Sequence, residues 1–400
     1  MVNVAILGFG VVGCGVAEIL TQNKKIIEDR VGESINIKYI LDLRDFPDSP
    51  FGHLVIHDFN TILNDSEVSL VVEMMGGSHP AYDFSKAALE AGKSVVTSNK
   101  EVVANFGVEL LQIAHKMGVS YMFEASVGGG IPIIRPMRSD LSPNNVISIN
   151  GILNGTTNYI LTQMDVCGAD FAVALKEAQA KGYAEANPDA DIKGIDAARK
   201  IVILAAMAYG KMLDSKQIYT DGICEITPEL ISLAKEFGCA VKLIATAKEL
   251  DGKILAFVAP RFVPVSNPLH SISDVFNGIL INSDMLGESM FYGKGAGRYP
   301  TASAVVSDVV EIAKAPCANM PSWTLATEDD IASLDDYSCR SCFVFEANEA
   351  DALITTFGGA EQVIMTDGKV AFIGTEMTER ECEAKLASLD AKLVSRTRVI

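Results

Sequence analysis

An apolar run, Val2–Leu7, breaks directly into Gly8-Phe9-Gly10-Val11-Val12-Gly13, and residues 16–25 then read as a helix. Few short patterns restrict a chain so strongly. Between strand and helix, one glycine permits the tight turn, one lets a pyrophosphate approach the backbone, and one lets helix and strand pack closely. The helix N-terminus adds amide donors and a favourable dipole for an anion. The turn therefore reads as a dinucleotide cradle, the plain alternative being a purely structural turn.

The rhythm that follows supports the cradle. Strand patterns at Ile35–Leu41, Val68–Glu73, 94–98 and 119–123 alternate with helical patterns, notably 83–91 closed by Gly92 and 101–116 closed by Gly118. Such alternation predicts a parallel, doubly wound sheet. After Gly128-Gly129-Gly130-Ile131-Pro132 the pattern changes. Val146–Ile152, 253–262 and 289–292 read as strands of a second sheet framing a helical block over 171–237, and 301–315 reads as a helix returning to the first domain. From residue 338 onward, 340–347, 362–365 and Lys369–Ile373 are strand-like, 379–389 is helical and 392–400 is strand-like. The expected fold class is α/β: a Rossmann-type doubly wound parallel sheet, an α+β catalytic and dimerisation domain, and a small α+β C-terminal segment. The expected boundaries are 1–139 with 296–330, then 140–295, then 338–400.

Charge excludes some partners. With 51 acidic and 33 basic residues the chain carries −18, which disfavours nucleic acid and anionic membrane, since both need clustered Lys and Arg. A site for an anionic cofactor has to be built locally. Hydrophobic residues make up 49% and charged ones 21%, the balance of a folded chain. Eight cysteines are scattered, and the single C-x-x-C, Cys339 with Cys342, lacks the second pair a zinc site needs. The N-terminal apolar run has no basic segment before it, and the apolar stretch 201–208 is far below the ~20 residues of a membrane span. A soluble, cytoplasmic protein is expected.

Cofactor choice turns on the end of the second strand, Leu41-Asp42-Leu43-Arg44-Asp45. An acid there accepts from the ribose 2′-hydroxyl of NAD, whereas an arginine pairs with the 2′-phosphate of NADP. Arg44 favours NADP and Asp42 leaves NAD open. Further on, Asp196 and Lys200 are four apart and share a helical face that runs straight into Ile201-Val-Ile-Leu-Ala-Ala-Met-Ala208. A desolvated lysine beside a carboxylate is poised for proton transfer near neutrality; the plain alternative is a routine i, i+4 ion pair. The five histidines show no catalytic spacing, so Ser-His-Asp hydrolysis has no support.

Taken in order, the glycine turn, Glu73-Met-Met-Gly-Gly77, Gly92-Lys-Ser-Val-Val-Thr-Ser-Asn-Lys100, Phe123-Glu-Ala-Ser-Val-Gly-Gly-Gly-Ile-Pro132, Gly151-Ile-Leu-Asn-Gly-Thr-Thr-Asn-Tyr159, Gly182-Tyr-Ala-Glu185, Gly194-Ile-Asp-Ala-Ala-Arg-Lys200 and Tyr292-Gly-Lys-Gly-Ala-Gly-Arg-Tyr-Pro-Thr-Ala-Ser303 closely resemble homoserine dehydrogenase. The resemblance runs from residue 2 to about residue 315. It implies reversible NAD(P)H-dependent reduction of L-aspartate 4-semialdehyde to L-homoserine, a step towards threonine, methionine and isoleucine, by a homodimer acting on a small molecule. Lys200 is then the proton donor and Asp196 its orienting partner, with Lys100 close to nicotinamide and substrate. Glu185 takes the substrate amino group, and Asp191, Asn154 and Thr156 complete the substrate cleft. Gly8, Gly10, Val11, Val12, Gly13, Arg44, Gly76, Ser98, Gly182 and Gly297 join Lys100 on the cofactor. Glu124, Val127, Gly129 and Ile131 match a monovalent-cation site, for Na+.

Two other readings share these features: a dinucleotide-sensing protein without activity, and an oxidoreductase for a different small carbonyl. Glu185, Asp196 and Lys200 together argue against the first, and the string from Gly182 to Lys200 against the second. The C-terminal segment resembles the regulatory ACT domain of longer family members, whose order is βαββαβ. Its first helix is expected to be missing, because Asp351–Thr356 is short and no Pro-Gly turn opens it. A trimmed ACT-like segment is therefore expected, with threonine inhibition left open.

Overall fold

Val2–Leu7 is buried along almost its whole length, as a strand covered by helices on both faces must be. In this computed structural model, which describes residues 1–315, 320–366 and 368–400, it is a central strand of a parallel sheet. Cys317 lies outside the described residues. The chain divides into two compact units: Met1–Val146 with Val202–Lys216 and Ser283–Ala326, and Ile147–Ile201 with Gln217–Asn282 and Thr327–Ile400.

The first unit holds β1 (Val2–Leu7), β2 (Ile35–Leu41), β3 (Val55–Ile56), β4 (Val68–Glu73), β5 (Ser94–Thr97) and β6 (Tyr121–Met122) in the order β3-β2-β1-β4-β5-β6. All five pairings are parallel. The strand order reverses between β1 and β4, the switch point where doubly wound sheets place ligands at the carboxyl ends of their strands. Helix Val11–Gln22 leaves β1 there, and its Val16, Ala17 and Leu20 pack with Ala302, Val305 and Val309 of helix Arg298–Lys314 in one core. Helix Lys100–Met117 leaves β5, its first turn capped by the Asn99 side chain and its end closed by left-handed Gly118.

The second unit is built on a sheet whose neighbours run Phe276–Ser283, Val146–Ile152, Cys239–Leu250, Lys253–Pro264, Lys392–Val399, Ser338–Glu346, Lys369–Ile373 and Val363–Thr366. The long hairpin of Cys239–Leu250 and Lys253–Pro264 turns on Asp251-Gly252, both with positive φ (50° and 79°). Asp-Gly with that backbone is the two-residue turn whose twist suits a hairpin. The helical block expected over 171–237 is four helices, Phe171–Ala180, Asp189–Ile192, Ile195–Tyr209 and Pro228–Glu236, with two short strands between.

The C-terminal segment corrects the expectation of a missing helix. Asp351–Thr356 is helical, so every element of the order βαββαβ is present, with a two-residue strand, Met377–Thr378, added before the last helix. Two turns suffice because Leu353 and the following Phe357 are buried with Phe343, Phe345 and Phe372, which fastens the short helix to the sheet. Its last strand also pairs in parallel with the long hairpin, Arg261 opposite Arg398 and Phe262 opposite Val399.

Candidate active site

The glycine turn has the geometry its spacing requires. Gly8 sits at φ 90°, and a Cβ on Gly13 would lie 2.1 Å from the Gly8 carbonyl oxygen. Gly10 opens helix Val11–Gln22 with no side chain capping it, and a Cβ there would meet nothing within 4 Å. The approach to that helix N-terminus is open, with Val11 exposed and Val12 half-buried. A pyrophosphate fits such a cradle.

Asp42 and Arg44 act as one piece. The Asp42 carboxylate accepts from the Phe9 amide of the glycine turn at 2.8 Å, from the Arg44 amide at 3.0 Å, and from the Arg44 guanidinium at 3.0 and 3.2 Å. Burial alone would raise its carboxyl, but these donors outweigh it and hold Asp42 at about 2. The guanidinium is largely exposed and lies over the Phe46 ring, 5.1 Å from its centre.

Around β4 and β5, Gly76 is exposed with open space about it. Ser98 donates to the Met74 sulfur at 3.6 Å, and Lys100, half-buried, begins the helix after β5. Gly297, at φ 121°, precedes helix Arg298–Lys314. The cation expectation meets a constraint at Glu124. Its side chain accepts from the backbone amides of Ile133 (2.6 Å), Ile134 (2.9 Å) and Arg135 (2.7 Å), and so caps the short helix Ile134–Arg138. Val127 and Ile131 are buried, and Gly129 passes so close to Gly295 that a Cβ would lie 2.3 Å from its carbonyl oxygen.

In the second unit, helix Ile195–Tyr209 carries the lysine–carboxylate pair. The Lys200 ammonium donates to Asp196 Oδ2 at 2.7 Å and to the Leu153 carbonyl at 2.7 Å. The two side chains are 10% and 5% exposed, so the routine surface ion pair is excluded. The Asn154 amide donates to Asp196 at 2.9 Å and to Asp191 at 2.7 Å, while its oxygen caps helix Gly155–Cys167 through the Thr157 amide. Asn154 thus gathers Asp191, Asp196 and Lys200 into one cluster. Thr156 donates to the Tyr183 carbonyl at 2.7 Å, which ties it to the segment holding Gly182 (φ 75°) and Glu185, both exposed. Residues that sequence reasoning passed over include Leu153, whose carbonyl fixes the ammonium, and Asn99, whose position before Lys100 is a recognisable cap signal.

A glycine cradle at the switch point of a doubly wound sheet, and a buried lysine held by a carboxylate, define a dinucleotide-dependent oxidoreductase. The family model for the NAD-binding domain of homoserine dehydrogenase matches residues 8–124, and that for homoserine dehydrogenase itself matches residues 132–310. The homoserine dehydrogenase of Helicobacter pylori is 44% identical over 314 residues, covering 78% of this chain and 74% of that protein. A solved homoserine dehydrogenase from Thiobacillus denitrificans superposes with a TM-score of 0.89 at 33% identity, covering 100% of this chain and 98% of the other. A hyperthermophilic archaeal homoserine dehydrogenase mutant in complex with NADPH superposes at 0.66 with 30% identity, over 78% of this chain and 97% of that one. This chain belongs to the homoserine dehydrogenase family. It is an NAD(P)-dependent oxidoreductase with a role in amino-acid biosynthesis. Among the described residues no helix is long and apolar enough to cross a membrane.

Proposed function

We propose that this chain interconverts L-aspartate 4-semialdehyde and L-homoserine, that Lys200 moves the proton, and that NADP(H) is the preferred cofactor. The observation that carries the reading is the burial of Lys200 against Asp196 and the Leu153 carbonyl. When bound, the nicotinamide supplies or accepts the hydride. Negative charge then builds on the aldehyde oxygen, and the Lys200 ammonium offers it both a proton and electrostatic stabilisation. Asp196 keeps that ammonium aimed, and Asn154 keeps Asp196 aimed in turn. Glu185, with Asp191, receives the substrate amino group, and Thr156 steadies the segment bearing Glu185. Lys100, Ser98 and Gly76 serve the nicotinamide end, and Gly8, Gly10, Val11, Val12 and Gly13 the pyrophosphate, with Gly182 and Gly297 beside the cofactor.

The test is NADP reduction by the purified protein with L-homoserine. Turnover of another hydroxy acid but not of homoserine would overturn the substrate assignment. Arg44, carried on Asp42 and backed by Phe46, supports the NADP preference, as does the NADPH found in the archaeal relative. Arg44→Ala is expected to raise KM for NADPH by about 10- to 100-fold, the value of one charge-assisted bond, and to leave KM for NADH nearly unchanged. Equal losses with both cofactors would show that Arg44 does not read the 2′-phosphate.

The finer family features are proposals as well. The carbonyls of Val127, Gly129 and Ile131 are hard donors suited to a structural Na+, and Glu124, its carboxylate engaged, offers its own carbonyl. Residues 1–139 with 296–330 bind the cofactor, 140–295 bind substrate and pair with a second copy, and 338–400 are regulatory. The protein acts as a cytoplasmic homodimer.

A further inference from the structure

Glu73 ends β4 with no exposed surface, and among the described residues no Lys or Arg pairs with it. Its carboxylate instead accepts two short hydrogen bonds, from the Met75 amide at 2.6 Å and from the Thr97 hydroxyl at 2.6 Å. Thr97 Oγ1 accepts in turn from the Asn99 amide at 2.9 Å. The Asn99 side chain closes the circuit: its oxygen caps the Lys100 helix through Glu101 and Val102, and its nitrogen donates to the carbonyls of Met75 and Gly77. Every bond that leaves Glu73 therefore leads to the loop holding Gly76 or to the turn holding Ser98 and Lys100.

The ionised carboxylate suits this circuit best. The Met75 amide can only donate, and the Thr97 hydroxyl donates to the other carboxyl oxygen while accepting from the Asn99 amide. A protonated Glu73 gives its own hydrogen to the second lone pair of Thr97 Oγ1 instead, and the bond loses the strength an ionised acceptor lends it. An ionised carboxylate buried without a cation is costly, and plain sheet packing has no use for it. We propose that Glu73 is a positioning residue for the reaction, its carboxylate locking the loop of residues 74–78 to the start of the Lys100 helix so that Gly76 and Lys100 meet the cofactor from fixed places. The inference rests on the role given above to Lys100.

Burial pushes the Glu73 carboxyl up to about 7 despite the bonds from Thr97 and Met75. The titratable group that feels its charge is the Tyr121 hydroxyl on β6, two strands away across β5. That hydroxyl is buried, without a hydrogen-bond partner, and is itself pushed upward by burial and by Glu73. The lock is therefore strongest above neutrality and weakens below it.

The test compares Glu73→Gln, Thr97→Val, Thr97→Ser and Lys100→Met in NADP-dependent homoserine oxidation as a function of pH. In the native enzyme kcat should fall as pH drops through about 7. Glu73→Gln, shaped like the protonated acid, should have a kcat about 10- to 100-fold lower, the loss expected when a reacting group is held less tightly, and no acid limb of its own. Thr97→Val should behave likewise, and Thr97→Ser, which restores the hydroxyl, should recover most of the rate. A native kcat and acid limb in Glu73→Gln, beside a crippled Lys100→Met, would overturn the role of Glu73 alone. Native kinetics in Lys100→Met would instead remove the reading of Lys100. Should Glu73→Gln fail to fold, the threonine pair decides: equal rates in Thr97→Val and Thr97→Ser would overturn the proposal.

Discussion

Replacing Lys200 with alanine is expected to lower kcat for homoserine oxidation by about 10²- to 10⁴-fold, the usual worth of a placed general acid–base. KM for homoserine and for NADP should change far less, because the lost interaction is made with charge that develops in the transition state. The geometry makes the expectation specific. Lys200 is held at 2.7 Å by both Asp196 and the Leu153 carbonyl, so its ammonium arrives at the aldehyde already oriented. Its removal also leaves Asp196 with the Asn154 amide in a buried setting, so a melting curve should accompany the kinetics to separate lost chemistry from lost fold. Robust turnover by a folded Lys200→Ala enzyme would end the proposed proton-transfer role.

The second large effect falls on stability, at the C-terminal segment. Glu379 is buried at the first turn of helix Glu379–Ser388 and accepts two hydrogen bonds from Arg396 (2.8 and 3.0 Å) and two from Arg398 (2.9 Å each). Removing the acid takes both hydrogen bonds to a carboxylate from the largely buried Arg398 guanidinium and leaves Arg396 with Glu383 and Ser341. Glu379→Ala is expected to destabilise the segment by about 3–5 kcal/mol, the cost of breaking a buried ion pair from one side. Urea denaturation, with hydrogen exchange followed at Ser338–Glu346 and Lys392–Val399, would measure it. A loss below about 1 kcal/mol would place the pair among weak surface bridges. The pH dependence follows with a definite sign. Burial would raise the Glu379 carboxyl, but Arg398 and Arg396 pull it below its ordinary value of 4.5. The stabilisation is therefore complete above about 4.5 and is lost as pH falls through the lowered value.

The parts of the fold legible in the sequence share one property: local chemistry dictates them. The glycine turn, strands β1, β2, β4, β5 and β6, and the lysine–carboxylate pair on Ile195–Tyr209 all follow from patterns within a dozen residues. What escaped depends on distant partners. Cys239–Leu250 is a strand because it is sandwiched between Lys253–Pro264 and Val146–Ile152, though Asp251-Gly252 was a hairpin signal available to be read. Asp351–Thr356 is too short to be helical on its own propensity and is held by aromatic residues on strands either side of it in sequence. The cluster around Lys200 was only half legible. Asp196 shares its helix, whereas Leu153 and Asn154 reach it from more than 40 residues away. Glu73 illustrates the same limit, since only the fold shows that it is buried and which loops it joins.

A tether absorbs motion, whereas a ladder of hydrogen bonds hands it on. The C-terminal segment is joined to the rest of its unit by the second kind of link, for Arg398 and Val399 are stitched rung by rung to Arg261 and Phe262. Beside that seam, Arg261 is wholly buried between the rings of Phe257 and Tyr337 and donates to the Tyr337 hydroxyl. There is no slack at this junction. Any shift of the terminal strand must either travel along the hairpin or break the seam.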